Sequence, residues 1–234
     1  MNILTIDTST RIEIVSVKSG DKTADMTGLV NVSHSVTLFV NIEKAFSQLD
    51  ININDINIIG VGIGPGSFTG IRIAVSTARM LAQITKAALI GIKTPHFFSS
   101  SADAQIDDNI LVCFDAKKGR VFGALYRKGN SLLPDEIIEP GDYHIDFLID
   151  KIDKSKKTHI IGDAGVKYYD SNIKNKIRNH VLLSDFIPSG ITACGLTQYM
   201  FEKSPCLIPD YNLVLPFYSR KSDAEVLSKS GGIS

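Results

Sequence analysis

The sequence lacks an excess of charge of either sign, has few cysteines and contains no long apolar run. Its 25 basic residues balance its 25 acidic residues, so no overall electric field draws the protein onto nucleic acid or an anionic membrane. The three cysteines are widely spaced and form no CxxC motif, which is typical of a reducing compartment. No apolar run approaches the ~18 residues that span a bilayer. We therefore expect a cytoplasmic protein without a membrane partner.

Length and composition indicate an ordinary globular chain. Hydrophobic residues make up 44% of the 234 positions and charged residues 21%, which excludes collagen, coiled coil and wholesale disorder. At about 150 residues per domain, the length fits one large domain or two small lobes. Either arrangement can bury a sizeable core.

A strand that ends in an aspartate and is followed by a polar hairpin occurs twice in the sequence. The first copy ends at Asp7 and the second at Asp115, and in both cases a second strand follows the turn. The repeat predicts a duplicated α/β architecture, in which each lobe has a mixed sheet flanked by helices and a cleft lies between the lobes. We place the first lobe at 1–100, the second at 101–220 and a flexible tail at 221–234.

Hydrophobic periodicity predicts the remaining elements. Ser33 is the expected N-cap of a helix over 34–49, and a second helix runs from about Ile71 to Thr85. The expected core face of the first helix is Leu38, Phe39, Ile42, Ala45, Phe46 and Leu49. The expected core face of the second is Ile71, Ala74, Val75, Ala78, Leu81 and Ala82. Further expected elements are strands at 21–30, 58–63, 88–92, 159–161 and 181–183, a short helix from Thr94, helices near 143–152 and 189–202, and a turn at 162–165.

The helix at 71–85 carries an apolar stripe that a helix lying on a sheet does not need. Ile73, Met80 and Ile84 lie roughly opposite its core face. Small alanine and serine residues beside the stripe would let another helix approach closely. Burial under a loop or under the second lobe is the alternative, but the pattern favours a helix-to-helix protein interface.

A glycine-rich loop at 64–70 separates a buried strand from this helix. Gly64 and Gly66 permit close approach of the backbone, and Ser67 precedes a helix start whose free N–H groups attract anions. The loop has no Walker lysine, and the GxGxxG pattern does not fit it. A tight strand-to-helix turn therefore stays an equal alternative to a phosphate site.

Six further residues could contact an anion or a nucleotide: Asp7, Thr8, Ser9, Asp115, Gly162 and Asp163. The first three could wrap hydroxyl groups and backbone amides around a phosphate, with the aspartate near a metal ion. An Asx-type hairpin turn at 7–9 and a plain turn at 162–163 are the simpler interpretations.

The sequence contains no recognisable metal site or nucleophile. The five histidines are scattered, without HExxH or another helical pair, and we expect solvent to satisfy His34. There is no GxSxG elbow and no cysteine beside a histidine in a protease arrangement. For the basic cluster at 151–157 a solvated face is the main interpretation, with an RNA-contact patch as the alternative.

Several motifs together resemble one bacterial family. The most specific is Gly-Pro-Gly-Ser-Phe-Thr-Gly-Ile-Arg at 64–72, which follows Ile-Leu-Thr-Ile-Asp-Thr-Ser at 3–9. The other matching motifs are His34-Ser35, Asp115-Ala116-Lys117 with Gly119 and Val121, Gly162-Asp163-Ala164, and Pro-Phe-Tyr-Ser-Arg at 216–220. Over nearly its whole length, the chain is similar to the TsaB (YeaZ) family.

The resemblance implies an actin-like (ASKHA, ribonuclease H-like) fold and a part in forming N6-threonylcarbamoyladenosine at position 37 of tRNA. It implies that the first lobe binds TsaD, the catalytic relative, in a heterodimer that works with the ATPase TsaE. The same surface would form a homodimer when the chain is alone, and tRNA would be contacted through the complex. The interface residues that it implies are His34, Val36, Val40, Arg72, Ile73, Ser76, Thr77, Met80 and Ile84.

Two positions bear on catalysis. The resemblance implies that TsaD holds a metal with two histidines, and Thr94 and Phe98 stand at those positions here. A hydroxyl group and a phenyl ring cannot replace two imidazoles around a transition metal. We therefore expect a non-catalytic scaffold subunit with no metal and no tightly bound cofactor, and with ATP or ADP only at the interface with TsaD. Ala74 and Ser219 depart from the family pattern, which usually has Gly and Leu there.

Two enzymatic interpretations stay open. An actin-like ATPase or small-molecule kinase would use Asp7, Asp115 and the glycine loop, and it would have to bind Mg-nucleotide tightly. A metalloprotease, the less favoured alternative, would have to contain stoichiometric metal.

Overall fold

The computed structural model describes residues 1–203 and 211–219, and it contains two β-sheets flanked by helices. The first sheet comprises β1 (Asn2–Asp7), β2 (Ile12–Ser19), β3 (Lys22–Asp25), β4 (Gly28–Leu29), β5 (Ile58–Gly62) and β6 (Ala88–Ile92). The second comprises β7 (Asn109–Asp115), β8 (Arg120–Arg127), β9 (Asp135–His144), β10 (Thr158–Ile161) and β11 (His180–Leu183). The α-helices are α1 (His34–Leu49), α2 (Phe68–Thr85), α3 (Thr94–Ser100), α4 (Ile145–Asp150), α5 (Asp163–Lys167) and α6 (Gly190–Lys203). Within the described ranges, no helix combines the length and the apolar character that crossing a membrane requires.

The two sheets have the same strand order. It is β3-β2-β1-β5-β6 in the first sheet, with the short β4 paired to β2, and β9-β8-β7-β10-β11 in the second. The strand β1 runs antiparallel to β2 and parallel to β5, and β7 runs antiparallel to β8 and parallel to β10. The predicted duplication, with a mixed sheet and flanking helices in each half, is therefore confirmed. The lobe boundary at residue 100 stays a prediction, and the tail predicted at 221–234 lies outside the described residues.

Helices α3 and α6 pack across the predicted boundary between the lobes. Phe98 of α3 contacts Phe114 of β7, with ring centroids 4.8 Å apart. The hydroxyl of Thr197 in α6 lies 2.8 Å from that of Thr5 in β1, and Cys194 is buried against the same side of the first sheet. The sequence pattern assigned α6 to the second lobe, but this helix covers the face of the first sheet opposite α1 and α2.

Helix α1 has the predicted bounds. Its N-cap is Ser33, whose hydroxyl accepts a hydrogen bond from the N–H of Ser35 at 3.4 Å. Four of the expected core positions are buried, namely Leu38, Ile42, Ala45 and Phe46. The prediction for Phe39 is wrong, because this residue lies at the margin of the buried arc and is 50% exposed.

Helix α2 begins three residues before its predicted start. The reason is its cap: the hydroxyl of Ser67 accepts a hydrogen bond from the N–H of Gly70 at 3.3 Å, so the helix can start at Phe68. All six predicted core positions of this helix are buried, and its core face is confirmed.

Three predicted elements differ in the structure. The strand expected at 21–30 is divided into β3 and β4. The helix expected near 143–152 starts only at Ile145, because β9 pairs with β8 as far as the Arg120–His144 register position. The turn expected at 162–165 opens α5. In the region of β9, pairing with a neighbouring strand overrides the local helical pattern.

Candidate functional site

A cleft of about 820 Å³ lies between the two halves of the molecule. Six of the nine predicted anion- or nucleotide-binding residues line it: Ser9, Gly66, Ser67, Asp115, Gly162 and Asp163. The other three, Asp7, Thr8 and Gly64, are buried and do not line it. Aromatic rings line the cleft as well, among them Phe68, Phe98, Phe114, Phe122, Phe186, Phe217 and Tyr218.

The glycine loop packs tightly against the turn between β1 and β2. The hydroxyl of Thr8 donates to the carbonyl of Gly70 at 2.6 Å, and the N–H of Ser67 donates to the carbonyl of Ser9 at 2.7 Å. A Cβ at Gly66 or Gly70 would overlap the carbonyl oxygens of Ser9 and Thr8. Several polar groups suited to a phosphate thus already bind one another, which favours the tight-turn interpretation of this loop.

Asp7 ends β1 in an environment that disfavours negative charge. It is 1% exposed; its Oδ1 accepts from the N–H of Ser9 at 2.6 Å, and its Oδ2 has no hydrogen-bond partner among the described residues. Burial raises the pKa of Asp7, and the neighbouring hydroxyl groups of Ser9 and Thr94 only partly oppose this effect. A Cβ at Gly62 would overlap the carboxyl group. The protein therefore encloses this carboxyl group, which does not face the cleft.

Asp115 ends the equivalent strand β7 in the opposite kind of environment. Its carboxylate accepts from Nζ of Lys167 at 2.8 Å and from the N–H of Lys117 at 3.0 Å. Its own N–H donates to Oδ1 of Asp163 at 2.9 Å. Partial burial opposes ionisation, but the hydrogen bonds from Lys167 and Lys117 outweigh it and lower the pKa of Asp115. This carboxylate therefore stays ionised at neutral pH and already has a cation beside it.

The two positions compared with metal-binding histidines lie in the interior. Phe98 is 1% exposed and Thr94 is fully buried. Between them, Nδ1 of His96 lies 2.9 Å from the Tyr126 hydroxyl, and burial lowers the pKa of His96 to about 4. This set of donors does not fit a transition-metal site. Throughout residues 1–203 and 211–219, no group of three or more His, Cys, Asp or Glu side chains could hold a metal ion.

A buried ion pair that the sequence analysis missed anchors the start of α1. The side chain of Glu13 in β2 is fully buried, and its Oε2 lies 3.0 Å from Nδ1 of His34. The Nε2 atom of His34 lies 2.8 Å from the carbonyl of Thr10, so the expectation that solvent satisfies this histidine is wrong. A signal was present, because Glu13 alternates onto the same inward side of β2 as Val15 and Val17.

Helices α1 and α2 expose a set of apolar side chains, called here the outer face. It consists of Val36, Phe39 and Val40 of α1 and Met80 and Ile84 of α2, with exposed fractions from 43% for Met80 to 64% for Val36. The buried residues of both helices belong to one core cluster, so both helices cover the same side of the first sheet. An apolar surface on two neighbouring helices is suited to binding another protein.

The remaining predicted interface residues are less available. Thr77 is buried, Ile73 is half-buried against the first core, and His34 turns inward. Arg72 is exposed, but its Nε donates to the Tyr218 hydroxyl at 2.9 Å, and its guanidinium lies over a phenyl ring of its own helix. Ser76 is exposed beside it. The interface on these helices stays a prediction, and its accessible apolar part is the outer face.

The segment 211–219 contacts a different side of α2. Arg79 donates to Oδ1 of Asn212 at 2.6 Å, which places the segment along the polar stripe of the helix. Met80 and Ile84 remain exposed with the segment in place. Among the described residues, therefore, no loop covers this end of the apolar stripe, which favours the interface over the loop alternative.

Comparison with known proteins gives one family-model match and relatives that share one name. Residues 28–197 match the family model described as "TsaD: tRNA N6-adenosine threonylcarbamoyltransferase". A protein of Buchnera aphidicola subsp. Schizaphis graminum is 28% identical over 228 residues, which cover 97% of each chain; it is named "tRNA threonylcarbamoyladenosine biosynthesis protein TsaB". A Bacillus subtilis protein of the same name is 29% identical over 148 residues, covering 61% of this chain and 64% of that one.

A solved structure shows the same fold. It is described as that of "an uncharacterized protein with similarity to peptidase YEAZ from Pseudomonas aeruginosa", and it superposes with a TM-score of 0.81. The match covers 94% of this chain and 99% of that one at 17% sequence identity.

Proposed function

This chain belongs to the TsaB (YeaZ) branch of the TsaD-type family, and from that premise we propose that it acts in tRNA threonylcarbamoyladenosine biosynthesis as a non-catalytic subunit. It binds TsaD through the outer face and keeps TsaD competent. The complex, with TsaE, contacts tRNA. When TsaD is absent, two copies of the chain associate through the same surface.

The single observation that carries this proposal is the exposure of the outer face. Five large apolar side chains on two adjacent helices remain in contact with water in the free chain. Burying apolar surface contributes about 25 cal/mol per Å² removed from water, so a matching helical surface would gain stability by covering them. Side chains that project from neighbouring helices can interdigitate with those of another helix pair in ridges-into-grooves packing.

The chemistry of the interior supports a role without catalysis. Phe98 and Thr94 cannot replace a pair of imidazoles, and the Asp7 carboxyl group is enclosed in a site that favours its neutral form. Neither group can orient and activate a carbamoyl donor in the way that a metal-bound site does. The chain therefore contributes binding and positioning, and TsaD contributes the reacting groups.

Adenine nucleotide, in this proposal, binds at the boundary with TsaD and is not held tightly by this chain alone. The hydroxyl of Thr8 and the N–H of Ser67 already bind groups within the chain, which leaves an incomplete phosphate cradle. Calorimetric titration with Mg-ATP should give no measurable heat of binding for the isolated chain. Submicromolar binding by the isolated chain would instead support the ATPase or kinase alternative.

The decisive experiment places charge on the outer face. The double variant Met80→Glu/Ile84→Glu should weaken association with TsaD by roughly 100-fold, since two carboxylates would be buried without partners. Both positions are exposed in a single copy of the chain, so its fold should be unchanged by circular dichroism, while the proposed association of two copies should be lost as well. Light scattering of the mixture with TsaD, with and without nucleotide, measures association, and a tRNA modification assay measures the consequence.

The matched control is Ile106→Glu, at a residue that is 64% exposed in the loop before β7. It adds the same chemical change far along the chain from α1 and α2, and it should leave association and modification unchanged. If the double variant copurifies with TsaD and supports modification at the wild-type level, the outer face is not the interface.

A further inference from the structure

The two ring nitrogens of His34 both face hydrogen-bond acceptors. Nε2 lies 2.8 Å from the carbonyl oxygen of Thr10, in the turn between β1 and β2. A backbone carbonyl can only accept, so Nε2 must carry a proton. Nδ1 lies 3.0 Å from Oε2 of Glu13. The protonation of Nδ1 therefore depends on whether Glu13 is an anion.

Three donors of α1 converge on Glu13. Besides Nδ1 of His34, the Thr37 hydroxyl donates to Oε2 at 2.7 Å and the Asn41 amide donates to Oε1 at 2.7 Å. Both carboxylate oxygens thus accept hydrogen bonds, which favours the ionised form. Burial of Glu13 opposes ionisation, but these hydrogen bonds outweigh it and lower its pKa. With Glu13 ionised, both nitrogens of His34 donate, and the ring is an imidazolium.

The positive charge on His34 lies at the N-terminus of a helix, where a nearby carboxylate must balance it. His34 is the first residue of α1, where the positive end of the helix dipole disfavours a cation, and the first turn contains no acidic residue. The compensating negative charge is Glu13 on β2. Asp7 at the end of β1 adds to it only to the extent that its enclosed carboxyl group is ionised, and Arg11 follows Thr10 in the same turn. The hydrogen bond to Glu13 raises the pKa of His34, although partial burial opposes it.

We propose that His34 is a positioning residue for the outer face. As an imidazolium it ties the first turn of α1 to Glu13 and to the carbonyl of Thr10, and so fixes where Val36 and Val40 stand relative to α2. The side chain that faces the partner is not His34 itself. This inference rests on the proposed function only where partner binding is concerned, because the tie within the free chain exists without a partner.

The stabilisation that protonated His34 provides decreases as the pH rises. A histidine whose pKa is raised in the folded protein stabilises the fold below its unfolded pKa, and that contribution disappears as the pH rises through the folded pKa. Neutral His34 can donate from only one nitrogen, so either Thr10 or Glu13 loses its hydrogen bond from His34. The first turn of α1 then loosens, and the affinity for the partner falls with it.

The test compares the wild-type chain, His34→Gln and His159→Gln between pH 6 and pH 9. His159 is a matched control, because it also pairs with a carboxylate, at 2.8 Å from Asp108, but lies in the second sheet. Calorimetry with TsaD should show wild-type affinity falling about tenfold over this range. The His159→Gln profile should match the wild type, and the His34→Gln profile should be flat and weak throughout.

A second measurement on the free chain separates this inference from the proposed function. Nitrogen-15 NMR should show His34 doubly protonated at pH 6.5, and amide exchange in the first turn of α1 should accelerate as this signal titrates. A neutral His34 at pH 6.5, or a first turn whose exchange does not follow the titration, overturns the inference even if TsaD binds the outer face. If TsaD instead ignores the outer face, the proposed function fails and the free-chain result still decides the role of His34.

Discussion

Asp7 and Asp115 occupy equivalent positions in two sheets of the same strand order, but their environments are opposite. Asp7 pairs in register with Ile14, and Asp115 pairs with Val121. Burial raises the pKa of Asp7, whereas hydrogen bonds from a lysine side chain and a backbone N–H lower the pKa of Asp115 against the effect of partial burial. The same strand signature thus led to an enclosed carboxyl group with a raised pKa in one half and to an ionised carboxylate at the cleft in the other.

The position that follows the turn on the second strand of each hairpin also carries a charged residue whose partner differs between the two halves. Glu13 precedes Ile14 and is buried with His34, while the equivalent Arg120 binds Oδ1 of Asp142 at 2.7 Å. In the first half, the charge is used to attach a long helix that carries the outer face. In the second, it joins two strands of one sheet. A repeat in sequence therefore predicts backbone topology, and the chemistry of each copy depends on what packs against it.

The largest expected effect tests whether α3, which precedes the predicted boundary between the lobes, packs into the core of the second half. Phe98→Ala should destabilise the fold by about 4 kcal/mol, because it opens a cavity beside Phe114 in the second core. Phe39→Ala, at a half-exposed position of α1, should cost less than about 1 kcal/mol. Urea unfolding monitored by circular dichroism measures both. Equal losses would mean that α3 is not part of the second core.

A smaller effect distinguishes the two hairpin turns. Gly70→Ala should cost about 3 kcal/mol, because its Cβ would overlap the carbonyl of Thr8 in the closed first turn. Gly119, in the second turn, has φ of +76° and open space around it, so Gly119→Ala should cost only about 1 kcal/mol of backbone strain. Thermal and urea unfolding give both values. A harmless Gly70→Ala would show that the first turn is not closed.

The third effect concerns the buried carboxyl group. A raised pKa means that Asp7 costs stability as the pH rises from its unfolded value of 3.8 through its folded pKa, so the contribution of this group is most favourable at low pH. Asp7→Asn keeps an acceptor for the Ser9 N–H and should stabilise the protein by about 1 kcal/mol at pH 8. The gain should vanish in acid. Unfolding at pH 4 and pH 8 tests this, and a loss at both values would contradict it.

The smallest effect is a loss of stability on replacing Asp115, in contrast to the gain expected for Asp7→Asn. A lowered pKa means that Asp115 adds stability above its unfolded value of 3.8, and this is lost as the pH falls through the folded pKa. Asp115→Asn should therefore lower stability slightly at pH 7, by less than Asp7→Asn raises it, because the Lys167 partner is exposed and water screens the pair. Added salt should reduce the difference further. A salt-independent loss would point to a structural role for the side chain.

Much of the backbone was predictable because it depends on local periodicity. Both long helices, the Ser33 cap of α1 and the core face of α2 follow from the local sequence, and the two aspartate-ended strands predicted the repeat. The stretch 135–144 was missed because its Pro140 and Gly141 are poor strand residues, and only pairing with β8 makes it a strand. The packing partner of α6 is also a tertiary property that its own sequence does not contain.

The candidate site was less predictable, since most of its character depends on distant neighbours. The pattern identified Met80 and Ile84, whose exposure follows from helical geometry. Strand alternation indicates that Glu13 faces inward, but it could not identify His34 as the partner, because the two residues are 21 positions apart on different elements. Nor could it show that the Thr8 hydroxyl donates a hydrogen bond to the carbonyl of Gly70, because the two residues are 62 positions apart.

The position of α6 has a consequence for how the protein is made. Ile3 and Ile58 belong to strands that leave the ribosome early, and the helix that shields them, with Cys194, is among the last described segments to emerge. During most of translation, the nascent chain therefore exposes one apolar face of the first sheet, which promotes aggregation or chaperone binding. The first sheet therefore obtains its cover on this face only after most of the chain has been synthesised.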